Sequence, residues 1–214
     1  MWNDNSQAAF ARSWRRACDN LDCHEDTTAV FDMLLGRYSE PHRRYHTVQH
    51  LSECVAAFEF SACCAANAGA VEAAIWFHDA IYDPTSHENE LRSAQLAFTE
   101  LTAVGICVDS ARRVSDLVLA TKHSTMPMTQ DERIIVDIDL AILGAAPTRF
   151  AEYEDQIREE YSWVADSVFY AKRKVVLASF LARGTIYSTQ RFRSLFEAQA
   201  RSNILNTITN VERQ

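Results

Sequence analysis

Glycine and proline are scarce in this sequence, 5 and 4 among 214 residues. A β-sandwich or barrel takes a turn roughly every 8–12 residues and draws on both for it. Their scarcity argues against those architectures and makes an α-rich fold the default; with no convincing period-two alternation along the chain, an all-α fold without a sheet is expected. Nowhere do about 18 apolar residues run uninterrupted, and the opening MWNDNSQAAFARSWRR lacks the apolar stretch of a signal peptide. No membrane partner is expected, and the chain reads as cytoplasmic. Basic residues are in the minority, 21 Lys and Arg against 29 Asp and Glu for a net charge of −8, which argues against a nucleic-acid partner. The six cysteines include no C-x-x-C pair, and Cys63 and Cys64 are adjacent and poorly placed to pair, so all read as reduced structural thiols. Apolar residues, by contrast, are plentiful: at 48% they rule out disorder and suffice for a sizeable core.

Repeats, low-complexity tracts and linkers are also missing, so one domain over residues 1–214 is expected. Apolar periodicity predicts helices near 5–20, 27–38, 47–67, 71–82, 108–123, 148–162, 167–182 and 188–210. The 71–82 helix should stop at Asp83-Pro84, where proline lacks an N–H and disfavours helix in the residue before it. Thr85 and Glu88 have capping-box spacing and predict the start of another helix; Thr129 and Glu132 repeat the signature ahead of an isoleucine-rich helix that ends near Gly144. Pro147 opens the next.

Histidine, aspartate and lysine concentrate in four places: Arg43-Arg44-Tyr45-His46-Thr47-Val48-Gln49-His50, Trp76-Phe77-His78-Asp79, Thr121-Lys122-His123 and Asp137-Ile138-Asp139. His78 has Ala74, Ile75, Ile81 and Tyr82 at i±3 and i±4, so its ring should project from an apolar face toward the interior. Asp139 has Ile135, Val136, Ile142 and Leu143 around it. A carboxylate on such a face costs several kcal/mol unless something positive compensates it, either a metal ion or an arginine. Residues two apart on a helix point about 200° apart, which predicts that Asp137, beside Arg133 and Ala141, faces solvent. His46 and His50 are an i, i+4 pair able to address one point, and the His78-Asp79 dyad can supply one nitrogen and one oxygen to an ion. Such a mixed, oxygen-rich set suits Mn²⁺, Mg²⁺, Fe²⁺, Ni²⁺, Co²⁺ or Zn²⁺. Tyr45, Trp76, Phe77 and Tyr82 flank these motifs and are expected in the helical core rather than stacked on a ligand.

The order His … His-Asp … Asp in an all-helical chain resembles the HD superfamily of metal-dependent phosphohydrolases. Tyr45-His46-Thr47-Val48-Gln49-His50-Leu51 is similar to its Y-H-[TN]-x-x-H opening, Trp76-Phe77-His78-Asp79-Ala80-Ile81-Tyr82 to its H-D helix, and Asp137-Ile138-Asp139-Leu140 to its D-x-D-L element. With the later Glu197-Ala198-Gln199-Ala200-Arg201-Ser202-Asn203, the set resembles an uncharacterised bacterial branch of predicted phosphohydrolases and covers roughly 40–205. The resemblance implies an HD-domain-like helical bundle, with a motif-bearing core at about 40–145 and C-terminal helices at 148–210 packed on it.

It further implies metal ligands at His50, His78, Asp79 and Asp139, with one divalent ion favoured over two, and His46 as the proton donor to the leaving group. The activity implied is hydrolysis of a phosphate ester or phosphoanhydride, the partner a small phosphorylated molecule such as a nucleotide. Asp79 would orient or deprotonate water. Arg44 and Lys122 are candidates to clamp phosphate oxygens, Arg43 a weaker one, and His123 could contact substrate or a second ion. Arg201 is either a further clamp or an ion-pair anchor for Glu197, its i−4 partner. Two other classes stay open: a di-iron, oxygen-dependent enzyme, which would need His123 as a ligand, and a non-catalytic metal or nucleotide sensor.

Overall fold

In the computed structural model, which describes residues 4–211, all regular structure is helical. The described residues form ten α-helices: α1 (Asp4–Asn20), α2 (Thr28–Arg37), α3 (Val48–Ser61), α4 (Ala68–Phe77), α5 (Asn89–Ala103), α6 (Val108–Ala120), α7 (Gln130–Asp139), α8 (Pro147–Glu160), α9 (Asp166–Leu181) and α10 (Gln190–Val211). Short 3-10 turns, Ala62–Cys64 and Leu140–Gly144, extend α3 and α7. Among the described residues no helix is long and apolar enough to cross a membrane. The chain divides into two compact units, Met1–Ile138 and Asp139–Gln214.

The first unit is organised around α4. Every residue from Gly69 to Phe77 is buried, as expected for a helix that is apolar all round. Its start is fixed three ways. Asn67 caps it by accepting from the Ala70 N–H at 2.9 Å. The buried Asp131 carboxylate accepts from the N–H groups of Ala66 (2.7 Å) and Asn67 (3.0 Å). Gly69 lets the end of α1 approach so closely that a Cβ there would lie 2.6 Å from Asn20 Cβ. Farther along, Glu72 accepts from Ser13 Oγ (2.7 Å) and Arg16 Nε (2.8 Å), and Trp76 Nε1 donates to Ser13 Oγ (3.1 Å). The Trp76 ring packs edge-on against Phe10 and Trp14. Helix α4 is thereby pinned along its length to α1.

Two predicted boundaries shift. The helix expected over 71–82 runs from Ala68 to Phe77 with His78 as its C-cap, because Arg43 takes the carbonyls of Asp79 and Ala80 and draws the chain out of the helical path. The capping box expected at Thr85 and Glu88 does not form. Asp83 Oδ1 instead accepts from Thr85 N (2.8 Å) and Oγ1 (2.7 Å), and α5 begins at Asn89. The box at Thr129 and Glu132 is present in both directions, Glu132 N to Thr129 Oγ1 at 3.2 Å and Thr129 N to Glu132 Oε2 at 3.0 Å.

Within the second unit, Pro147 opens α8 as expected. Arg201 is the anchor rather than a free clamp. Its Nε donates to Glu197 Oε1 at 2.8 Å, its Nη atoms reach the carbonyls of Leu181, Arg183 and Gly184, and Glu197 receives the N–H groups of Ile186 and Tyr187. The pair shapes the turn between α9 and α10.

All six cysteines are free thiols, with Cys18, Cys23 and Cys54 buried and Cys63, Cys64 and Cys107 exposed. Burial pushes the Cys18 thiol up to about 11, whereas hydrogen bonding with Ser110 lowers that of Cys107. Thiolate is the reactive form. Alkylation of the native protein should therefore label Cys107 fastest, then Cys63 and Cys64, and spare the buried three until the chain unfolds. Peptide mass spectrometry over a time course checks this; native-rate labelling of Cys54 would contradict the packing.

Candidate metal centre

His50 lies in the first turn of α3. That helix starts where Thr47 caps it, its side chain accepting from Gln49 N at 3.3 Å. His78 caps the C-terminus of α4 and Asp79 follows it directly. Both histidines are buried, at 2% and 3% exposure, and Asp79 is half-buried. Three electron-rich atoms converge: His50 Nε2 and His78 Nε2 are 3.0 Å apart, and Asp79 Oδ2 is 3.0 Å from His78 Nε2 and 3.4 Å from His50 Nε2.

The other nitrogen of His78 decides what this triangle can hold. His78 Nδ1 lies 2.8 Å from the Ile75 carbonyl, a contact that only an N–H can make well, so in the neutral ring the proton is on Nδ1 and Nε2 presents its lone pair inward. A lone pair that close to a carboxylate oxygen and a second imidazole nitrogen requires positive charge between them, from protons or from a cation. An ion bonded to imidazole nitrogen and carboxylate oxygen at about 2.0–2.2 Å keeps neighbouring ligand atoms about 3.0–3.5 Å apart, which is the observed spacing. Burial alone would push the Asp79 carboxyl up; the charges of His78 and His46 and the contact with His50 outweigh it and hold the group well below the ordinary carboxylate range. The residues present fit a divalent ion.

No protein-family model, curated protein or solved structure matches the chain.

The remaining candidates separate into those that join this centre and those that do not. Asp139, half-buried, is the last residue of α7. His46 precedes the cap of α3 and is half-buried. Its ring stacks on Tyr82 at 4.1 Å, meets Tyr45 edge-on at 4.9 Å, and lies 6.0 Å from the His50 ring. Tyr45, Trp76, Phe77 and Tyr82 are all buried, as expected of core aromatics.

Arg44 is exposed and donates to the Pro41 and Arg43 carbonyls. Lys122, also exposed, donates to the His87 carbonyl at 3.2 Å. His123 adopts a left-handed backbone (φ 54°) and belongs to neither ligand group found among the described residues.

Asp137 is a correction. It is fully buried, not on the solvent side. Helix α7 is covered on every side from Ile134 to Ile138, so residues pointing about 200° apart both face the interior.

Two residues were underrated by pattern. Cys54, read only as packing, forms a second possible ligand group with His50 and His78. Its Sγ is 3.7 Å from both nitrogens of the His50 ring, so the buried thiol is in direct contact with the imidazole. Arg43, thought a weak phosphate clamp, is buried among backbone carbonyls. Nothing in a single sequence marks which carbonyls an arginine will meet.

Proposed function

We propose that the chain is a metal-dependent phosphohydrolase of the HD type, acting on a phosphate ester or phosphoanhydride of a small molecule such as a nucleotide. The observation that carries the reading is the convergence of His50 Nε2, His78 Nε2 and Asp79 Oδ2 within 3.4 Å of one another, with His78 Nδ1 tied to a carbonyl. These three residues and Asp139 would hold the ion. One ion per chain is favoured, because both ligand groups among the described residues use the same two imidazoles.

When bound, a divalent cation there acidifies water and polarises a phosphoryl oxygen. Asp79, kept anionic at neutral pH, orients the attacking water and accepts its proton. The water oxygen bonds to phosphorus, the bond to the leaving oxygen breaks, and an imidazole nitrogen of His46 donates the proton that oxygen needs. Stacking on Tyr82 holds the His46 ring beside the centre rather than in it. Arg44 and Lys122, both exposed, remain the candidates to bind phosphate oxygens.

The test is metal analysis of protein purified without chelator, followed by a screen of phosphate esters and nucleotides before and after chelation. Near-stoichiometric metal and activity that is lost and then restored with the ion are expected. Substoichiometric metal, or turnover indifferent to chelation, would overturn the reading. His46→Ala should keep its metal and lose about 10²–10⁴ in turnover; loss of metal instead would make His46 a ligand.

A further inference from the structure

Arg43 is the most completely committed side chain near the centre. It is 2% exposed, and its guanidinium has five N–H donors and five contacts for them. Nη1 donates to the carbonyls of His46 (3.0 Å) and Asp79 (2.7 Å). Nη2 donates to the Ala80 carbonyl (3.1 Å) and meets Glu40 Oε2 at 3.0 Å, and Nε donates to the same oxygen at 3.1 Å. The planar group also faces the rings of Tyr38 and Tyr82, 5.4 and 5.5 Å from their centroids. No donor is left for a phosphate.

What those donors join is specific. One nitrogen bridges the carbonyls of His46, ahead of α3, and Asp79, beyond the end of α4. These carbonyls belong to the proposed proton donor and a proposed ligand, on segments that sequence separates by more than thirty residues. Tyr38, whose ring the guanidinium faces, closes the arrangement by accepting from the Asp79 N–H at 3.3 Å. Burial drives its phenol well above the ordinary range, so the hydroxyl stays neutral. Both peptide groups of Asp79 are thus clamped from outside α4.

We propose that Arg43 is a positioning residue that sets the distance between His46 and the His78-Asp79 dyad, and so tunes both metal affinity and proton donation. The inference rests on the phosphohydrolase reading of the centre. A lysine cannot replace it, because three donors on one point charge cannot span carbonyls of two segments in a fixed plane.

The experiment is titration of the 214-residue chain with Mn²⁺ and with Zn²⁺, comparing wild type, Arg43→Lys, and Arg43→Ala with and without added guanidinium. Arg16→Met serves as a destabilised control, since Arg16 contacts α4 from α1 through Glu72. Arg43→Lys should bind either ion about 10–100-fold more weakly, as loss of a ligand's outer partner does, while Arg16→Met binds as wild type. Guanidinium should restore part of the affinity of Arg43→Ala. At saturating ion, turnover should fall in Arg43→Lys, and Arg43→Lys with His46→Ala should be little worse than His46→Ala alone, the mark of an effect exerted through His46. If Arg43→Lys melts lower yet binds Mn²⁺ and Zn²⁺ as tightly as wild type, the positioning role is overturned and the metal centre stands. If wild type binds neither ion, both readings fall together.

Discussion

Asp79→Asn should empty the metal centre and lower turnover by on the order of 10³ or more, since it removes a direct ligand and the proposed base in one change. The amide is isosteric, so packing is kept and the loss is electrostatic. It is also legible without any substrate. Saturating ion stabilises a protein that binds it by about 2.7 kcal/mol at 100 times Kd, or roughly 5–11 °C in Tm for a chain of this size. Wild type should show that rise in differential scanning calorimetry, and Asp79→Asn almost none. The metal-free protein adds a pH signature. The Asp79 carboxyl is held well below its ordinary range in the fold, so its contribution to stability is present above the unfolded carboxylate range, near 3.9, and is lost as pH falls through the lower folded value. The stability gap between wild type and Asp79→Asn without metal should therefore close on acidification, not open. An equal metal-induced Tm rise in both proteins would remove Asp79 from the ligand set.

The parts of this molecule that depend on short-range pattern were readable from the sequence. His78 has apolar neighbours one turn away on either side and is 3% exposed; Thr129 and Glu132, three residues apart, close their reciprocal cap; Pro147 opens α8. Where a local rule met a long-range partner, the partner won. Thr85 had the spacing to cap, but Asp83 captured it first. Helix α4 had apolar residues enough to run to Tyr82, but a buried guanidinium 36 residues upstream holds the Asp79 carbonyl. Asp137 failed for a different reason. The 200° rule separates two faces of a helix but cannot say that both are covered, and around α7 they are. Among the candidate ligands, His50, His78 and Asp79 come together as one group, whereas His123, whose role no spacing constrained, joins no ligand group among the described residues.

The second large effect is expected far from the centre, in the fold that supports it. Glu72 is fully buried in the middle of α4, and its charge is compensated by Arg16 of α1, with Ser13 adding one hydrogen bond. Arg16→Met keeps most of the aliphatic stem and leaves the carboxylate buried with a hydroxyl donor alone. Removing one partner of a buried pair costs about 3–5 kcal/mol. The Arg16 side chain is 42% exposed and so admits water when it is gone, which places the cost near the lower end, about 3 kcal/mol or ~6–12 °C in Tm. Truncating both partners, as in Arg16→Met with Glu72→Met, should recover much of the loss, because replacing the pair by apolar groups removes the uncompensated charge. Urea denaturation of wild type, the single variant and the double variant separates these outcomes. A deficit in Arg16→Met below about 1 kcal/mol, the scale of an exposed ion pair, would mean that the Glu72 network does not dock α1 on α4.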